Sequence, residues 1–180
     1  MLKNIIIIGF MGAGKTSLGK IIAEKLGFGF IDTDEEISKS LGLSIFEIFQ
    51  NKGEAFFRQI EQKKIDQFIG QKKIVLAAGG GAAPALLKLK ARLKSSWVVY
   101  LEWKFVDLWP RLKSLPDRPL LAKLDHASLA NLFNERHRLY SALANQKING
   151  TTPLEQVSEL VCDQFKQMAN IPKRSHNFRE

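Results

Sequence analysis

Short runs of aliphatic and β-branched residues alternate with stretches in which apolar residues recur every three or four positions. The short runs predict strands at Lys3–Gly9, Gly27–Asp32, Lys73–Ala77 and Trp97–Leu101, and at Gln146–Asn149, where the pattern is weakest. Ile5–Ile8, Ile74–Leu76 and Val98–Leu101 are continuously apolar, as expected of strands covered on both faces in a parallel sheet. The longer stretches predict helices. Thr16–Leu26 carries Leu18, Ile21, Ile22 and Leu26 at helical spacing. Ser44 to Glu47 has the form of a capping box, and Glu54–Phe68, Pro84–Leu93 and Ser128–Leu143 follow. Thr152 to Glu155 is a second capping box, with Pro153 at the first helical position. It opens a helix carrying Leu154, Val157, Val161, Phe165 and Met168.

Strands alternating with helices predict an α/β fold, a three-layer sandwich around a five-stranded parallel sheet. Lys113–Asp125, with Pro116 and Pro119, fits no element, and a long irregular segment inside a domain is expected to act as a lid. The expected organisation is one domain over residues 1–169. A polar, basic and flexible tail is expected over 170–180.

Composition narrows the classes. The chain has 180 residues, 45% hydrophobic and 25% charged, which suits one globular domain with a sizeable core. A single cysteine, Cys162, excludes an intrachain disulfide and a zinc-type cysteine cluster. Ile5–Ile8 is too short to span a membrane, and no signal-peptide cleavage pattern follows it, so a cytoplasmic location is expected. The 27 Lys and Arg against 18 Asp and Glu give a formal charge of +9, which favours anionic partners. Charge alone does not choose among nucleic acid, a membrane surface and phosphorylated small molecules; the basic residues are spread along the chain without an aromatic–basic RNA motif, and neither a nucleic-acid nor a membrane partner is expected. A monomer is expected.

The most specific local signal is Gly9-Phe10-Met11-Gly12-Ala13-Gly14-Lys15-Thr16, a complete G-x-x-x-x-G-K-[ST] with an apolar strand before it and an amphipathic helix after it. Glycines let backbone N–H groups converge on phosphate oxygens, and the following helix adds its positive end. Residues Gly12, Ala13, Gly14, Lys15, Thr16 and Ser17 are therefore expected to bind ATP, with Lys15 on the β- and γ-phosphates and the Thr16 hydroxyl on Mg²⁺. A GTPase is disfavoured. Asn51-Lys52-Gly53-Glu54 only approximates the guanine-reading Asn-Lys-x-Asp, and it lies too early in the chain, where it reads as a turn.

The second predicted strand ends in Asp32-Thr33-Asp34. In open parallel sheets ligands bind past the carboxyl ends of strands, so one carboxylate can hold Mg²⁺ through water and the other can take or orient a hydroxyl proton. Helix capping, with Glu35 and Glu36 in the first turn, explains the same residues. Downstream come Gly53-Glu54-Ala55-Phe56-Phe57-Arg58, then Gly79-Gly80-Gly81, Arg118-Pro119-Leu120-Leu121, and Arg136 followed by Leu139-Tyr140. In this order, and together with the phosphate loop, these motifs closely resemble the shikimate kinase family from about Lys3 to about Val161.

The resemblance implies ATP-dependent phosphorylation of shikimate at its 3-hydroxyl. It implies that Asp32 holds Mg²⁺ through water and that Asp34 meets the acceptor hydroxyl as the candidate base. Arg58 and Arg136 would grip the shikimate carboxylate, in a substrate-binding region over residues 34–62 and beyond. Gly79, Gly80 and Gly81 would offer backbone N–H groups to it. Arg118 would come from the lid onto the transferring phosphate, and Arg111 would flank the adenine. Paired charge-assisted bonds from arginine to a planar carboxylate suit this assignment. Structural alternatives exist: helical pairing with Glu54 or Glu61 also explains Arg58, and surface exposure on a helix also explains Arg136. Two departures stand out. Ala78 occupies a position that is often Thr in the family, and Pro110 beside Arg111 is expected to kink its helix or begin a new turn. Trp97 and Trp103 read as packing residues, His126 and His137 as bystanders. The rival functions are a related small-molecule kinase, such as a gluconate kinase, and a non-catalytic nucleotide-binding module.

Overall fold

The aliphatic runs form strands β1 (Asn4–Ile8), β2 (Gly29–Asp32), β3 (Ile74–Ala77), β4 (Ser96–Glu102) and β5 (Gln146–Asn149). The structure is a computed structural model and describes residues 2–114 and 124–170. Most of the expected lid, Arg118 within it, and the tail from residue 171 lie outside the described residues. All strand pairs are parallel, and the order is β2-β3-β1-β4-β5. Around the sheet lie α1 (Lys15–Leu26), α2 (Thr33–Leu41), α3 (Ile45–Ile69), α4 (Ala83–Lys88), α5 (Phe105–Lys113), α6 (His126–Leu143) and α7 (Leu154–Asn170). This is the expected three-layer α/β sandwich.

The period of two in a strand divides the core between the sheet faces. Ile6, Ile8, Leu76, Val98 and Tyr100 join one apolar cluster with Ile65 of α3, Leu86 of α4, Leu108 of α5 and Phe133 of α6. Ile5, Ile7, Val75, Val99 and Leu101 join the other with Leu18 and Ile22 of α1 and Val161 and Phe165 of α7. Trp97 is buried in this second layer, as expected of a packing residue. A smaller third cluster of Ile37, Ile48 and Phe57 ties α2 to α3 beside the sheet edge.

Four local outcomes bear on the expectations. α3 spans both predicted helices, but Gly53 interrupts it with φ 80° and ψ 168°, a conformation that favours glycine, so the Asn51–Glu54 turn sits inside the assigned helix. The Ser44–Glu47 capping box is present in full. The predicted helix Pro84–Leu93 instead stops at Lys88, and a 3₁₀ segment covers Lys90–Ser95. A continued α-helix would stack Lys88 on Arg92 and Lys90 on Lys94, like charges at four-residue spacing, which is unfavourable. α5 runs through Pro110 without ending there. The carbonyl that Pro110 leaves without an N–H partner belongs to Val106, a residue that is 71% exposed.

β1 lies between β3 and β4: the chain runs from β1 to β2 and β3 on one side, then crosses to β4 and β5 on the other. The crevice at its carboxyl end is the topological switch point, where ligands bind in such folds. The connection from β1 to α1 is the glycine-rich loop.

Candidate active site

Gly12 and Gly14 hold positive φ values of 72° and 99°, which favour glycine in the loop. The third glycine, Gly9, lies where a β-carbon would meet the Leu101 carbonyl oxygen at 2.9 Å. Lys15 Nζ donates to the Phe10 carbonyl at 3.0 Å and so reaches back across the loop. A polar cleft is lined by Gly12, Gly14, Lys15, Thr16 and Ser17, with Asp32, Asp34, Ala78, Gly79 and Arg111. Ala13 departs from the expected role. Its side chain is buried in the α1 layer and its N–H donates to the Phe10 carbonyl at 3.2 Å, so it shapes the turn from behind.

Asp32 caps α2 with one carboxylate oxygen and meets the phosphate loop with the other. Its Oδ1 accepts from the N–H groups of Asp34 at 2.9 Å and Glu35 at 3.4 Å, capping α2. Its Oδ2 accepts from Thr16 Oγ1 at 2.6 Å. A hydroxyl and a carboxylate side by side next to the phosphate cradle are oxygen donors suited to Mg²⁺, which keeps several waters and takes few protein ligands. Between the two aspartates, Thr33 is fully buried. Its Oγ1 accepts from the Gly79 N–H at 2.8 Å and faces the Ala77 carbonyl at 3.5 Å. Gly79 therefore cannot offer a free N–H to a substrate as expected. Its Cα instead leaves room for two carboxylates: a β-carbon there would meet Glu61 Oε1 at 2.9 Å and overlap Asp34 Oδ1.

A second, more apolar cleft adjoins the first. Its walls include Phe10, Met11, Asp34, Phe49, Phe57, Arg58, Glu61, Gly80, Gly81, Leu132 and Arg136. Arg58 makes both helical pairs that its spacing allows and still faces this cleft. Its Nη1 donates to Glu61 Oε2 at 2.8 Å, while Nη2 and Nε donate to Glu54 Oε1 at 3.1 and 3.2 Å. Burial works against the Arg58 charge, but Glu61 and Glu54 outweigh it, so the guanidinium titrates above its ordinary value. Glu61 is 1% exposed, and burial pushes its carboxyl above the usual range despite Arg58; nearby Asp34 pushes the same way. From the opposite wall, Arg136 Nη1 donates to the Gly81 carbonyl at 3.0 Å, and the Tyr140 hydroxyl donates to the Gly80 carbonyl at 2.5 Å. Arg136 and Tyr140 are one helical turn apart on α6 and together hold the glycine triplet. Met11 N would meet a β-carbon on Gly80 at 2.9 Å, so the triplet packs directly against the phosphate loop.

Arg58, Gly81 and Arg136 thus converge on one cleft, Lys15, Thr16, Asp32 and Arg111 on the other, and Asp34 and Gly80 line both. Arg92, an alternative to Arg111, pairs with Asp66 instead. His137 faces the Tyr100 hydroxyl at 3.0 Å, and His126 packs on Trp109 and Phe105. Glu61 makes the pair with Arg58 that its spacing allows, while Thr33 and Tyr140 carry contacts that the sequence alone does not disclose. Each lay within or beside a quoted motif, and Glu61 stands at helical spacing from Arg58. Trp103, read as packing, donates through Nε1 to the Ala13 carbonyl at 3.1 Å.

A parallel α/β sheet with a phosphate loop at its switch point and an arginine-lined cleft beside it defines a small P-loop kinase. The model of the shikimate kinase family matches residues 11–168. The shikimate kinase of Persephonella marina is 37% identical over 162 residues, covering 89% of this chain and 98% of that one. The structure of shikimate kinase from Acinetobacter baumannii in complex with shikimate has a TM-score of 0.83 and 32% identity, covering 96% and 97%. The chain belongs to the shikimate kinase family. A gluconokinase structure from Sinorhizobium meliloti, at 16% identity and TM-score 0.60 over 93% of both chains, shares the fold alone.

Proposed function

We propose that this shikimate kinase transfers the γ-phosphoryl group of ATP to the 3-hydroxyl of shikimate, acting as a monomer in the cytoplasm. The observation that carries the proposal is the position of Asp34, which lines both the phosphate cleft and the arginine-lined cleft. A hydroxyl bound in the second cleft lies beside the phosphates of the first. Arg58 and Arg136 hold the acceptor carboxylate with charge-assisted bonds, and Gly80 and Gly81 form the wall between them. Asp34 accepts or orients the proton of the attacking hydroxyl. Lys15 and the loop N–H groups neutralise charge on the phosphates, while Thr16, and Asp32 through water, would hold Mg²⁺, which supplies further charge neutralisation. Arg118, outside the described residues, is assigned to the transferring phosphate from the lid about 113–125, and Arg111 to the adenine side. Among the described residues no helix is long and apolar enough to cross a membrane.

The test is ADP release from MgATP with and without shikimate, with gluconate and AMP as controls. A shikimate-dependent rise accompanied by shikimate 3-phosphate is the expected result. ATP binding with no response to shikimate would overturn the acceptor. Full activity in Lys15→Ala would overturn the phosphate-cradle assignment.

A further inference from the structure

We infer that Trp103, in the connection between β4 and α5, is a positioning residue that sets the phosphate loop for nucleotide by bracing its outer side and carrying Arg111 against it. The inference rests on the P-loop kinase reading above. Three contacts support it. The indole Nε1–H donates to the Ala13 carbonyl at 3.1 Å. The Arg111 guanidinium carbon lies 5.1 Å from the centroid of the same ring, within cation–π range. Arg111 Nε in turn donates to the Gly12 carbonyl at 3.3 Å. One stacked pair therefore holds two consecutive carbonyls of the loop.

Peptide geometry converts this into a statement about the phosphate side. In a trans peptide the C=O and the next N–H lie in one plane and point in opposite directions. Fixing the Ala13 carbonyl outward fixes the Gly14 N–H inward, toward the cleft that Gly14 lines. The Gly12 carbonyl likewise fixes the Ala13 N–H, which closes the turn onto Phe10 at 3.2 Å. Without the clamp, each of these planes can rotate about the permissive backbone of Gly12 and Gly14.

The indole is itself positioned. It packs against both core layers, and a β-carbon on Gly150, just after β5, would overlap it. No positive φ is recorded for Gly150, so an alanine there acts through the indole and not through the backbone. Gly150 thus gives an independent handle on Trp103 from another element.

The experiment compares Trp103→Phe, Trp103→Leu, Gly150→Ala and the double variant Trp103→Leu/Gly150→Ala. Phe keeps a ring face for Arg111 but loses the N–H; Leu loses both. Trp103→Phe is expected to raise the KM for ATP, and the Kd of a fluorescent ADP analogue, about three- to tenfold, the scale of one hydrogen bond. Trp103→Leu is expected to raise them about two- to fivefold more as the cation–π contact goes. The KM for shikimate should stay within about twofold, since neither Trp103 nor Arg111 lines the arginine-lined cleft. Gly150→Ala should reproduce the ATP-selective loss and add nothing in the Trp103→Leu background. Equal rises in both KM values, an unchanged KM for ATP in Trp103→Phe, or an additive double variant would each overturn the inference and leave Trp103 as a packing residue. If Trp103→Leu does not fold, Trp103→Phe and Gly150→Ala decide alone. The ADP-analogue titration needs no shikimate, so a wrong acceptor assignment registers separately, as wild-type protein that binds ADP but does not respond to shikimate.

Discussion

Thr16 Oγ1 donates to Asp32 Oδ2 at 2.6 Å, joining the phosphate loop to the first turn of α2. The other oxygen of Asp32 caps α2, so under the proposed Mg²⁺ role one carboxylate would serve metal binding and helix stability together. Asparagine caps as well as aspartate, whereas alanine does not. Asp32→Asn is therefore expected to keep the melting temperature but to raise the Mg²⁺ concentration for half-maximal activity about ten- to hundredfold. Asp32→Ala should show the same Mg²⁺ effect and also lose about 1 kcal/mol of stability, a fall of about 2–4 °C. A Mg²⁺ titration and a thermal melt on each variant check this. An unchanged Mg²⁺ requirement in Asp32→Asn would reduce Asp32 to a cap.

Thr33 anchors the glycine triplet through the 2.8 Å bond from the Gly79 N–H. Thr33→Val preserves shape and leaves that N–H without its partner in a buried place, at a cost of about 1–3 kcal/mol. The expected result is a clear fall in melting temperature with a raised KM for shikimate, because Gly80 and Gly81 follow Gly79 into the acceptor cleft. Thr33→Ser retains the hydroxyl and should restore both. Failure of serine to restore them would point to the methyl group's packing instead.

Most of the scaffold was legible in the chain because it rests on short-range signals. Short continuous apolar runs marked the buried strands, and Ser44 with Glu47 marked a helix start. Gly12 and Gly14 marked the loop by the conformation that it requires. What stayed hidden depended on contacts between distant segments. The Trp103 bond to Ala13 spans 90 positions, and the Thr33 bond to Gly79 spans 46. Asp32 and Arg58 each admitted a structural and a functional reading, and each side chain has enough hydrogen-bonding groups to fulfil both. The break at Leu89 was missed because apolar spacing does not register like charges along a helix.

Glu61 offers a pH test with a definite sign. Its folded carboxyl holds its proton more tightly than an unfolded glutamate, so ionised Glu61 weakens the fold. That cost is absent below the unfolded value, ~4.3, and grows as pH rises toward the higher folded value, above which it is constant. Glu61→Gln is neutral throughout. Its melting temperature relative to wild type should climb from about pH 4 upward and then level off. A flat difference would show that Arg58 balances burial, and a declining one that Arg58 outweighs it. In the same variant Arg58 loses a charged anchor, so the KM for shikimate should rise while that for ATP holds.

The far wall of the acceptor cleft separates two contributions of α6. The Tyr140 hydroxyl bonds the Gly80 carbonyl at 2.5 Å, and that carbonyl shares a peptide plane with the Gly81 N–H. Tyr140→Phe frees the plane without changing charge, so the KM for shikimate is expected to rise about three- to tenfold, the value of one bond. Arg136 both holds the Gly81 carbonyl and supplies charge to the cleft. Arg136→Ala should therefore cost more, about ten- to hundredfold, the scale of a lost charged hydrogen bond. In both variants the KM for ATP should change little, because neither side chain lines the phosphate cleft. Arg136→Lys distinguishes charge from geometry: lysine restores the charge but not the planar fork, so only partial recovery is expected. Full recovery with lysine would mean that Arg136 acts as a point charge and that Arg58 alone makes the paired contact to the carboxylate.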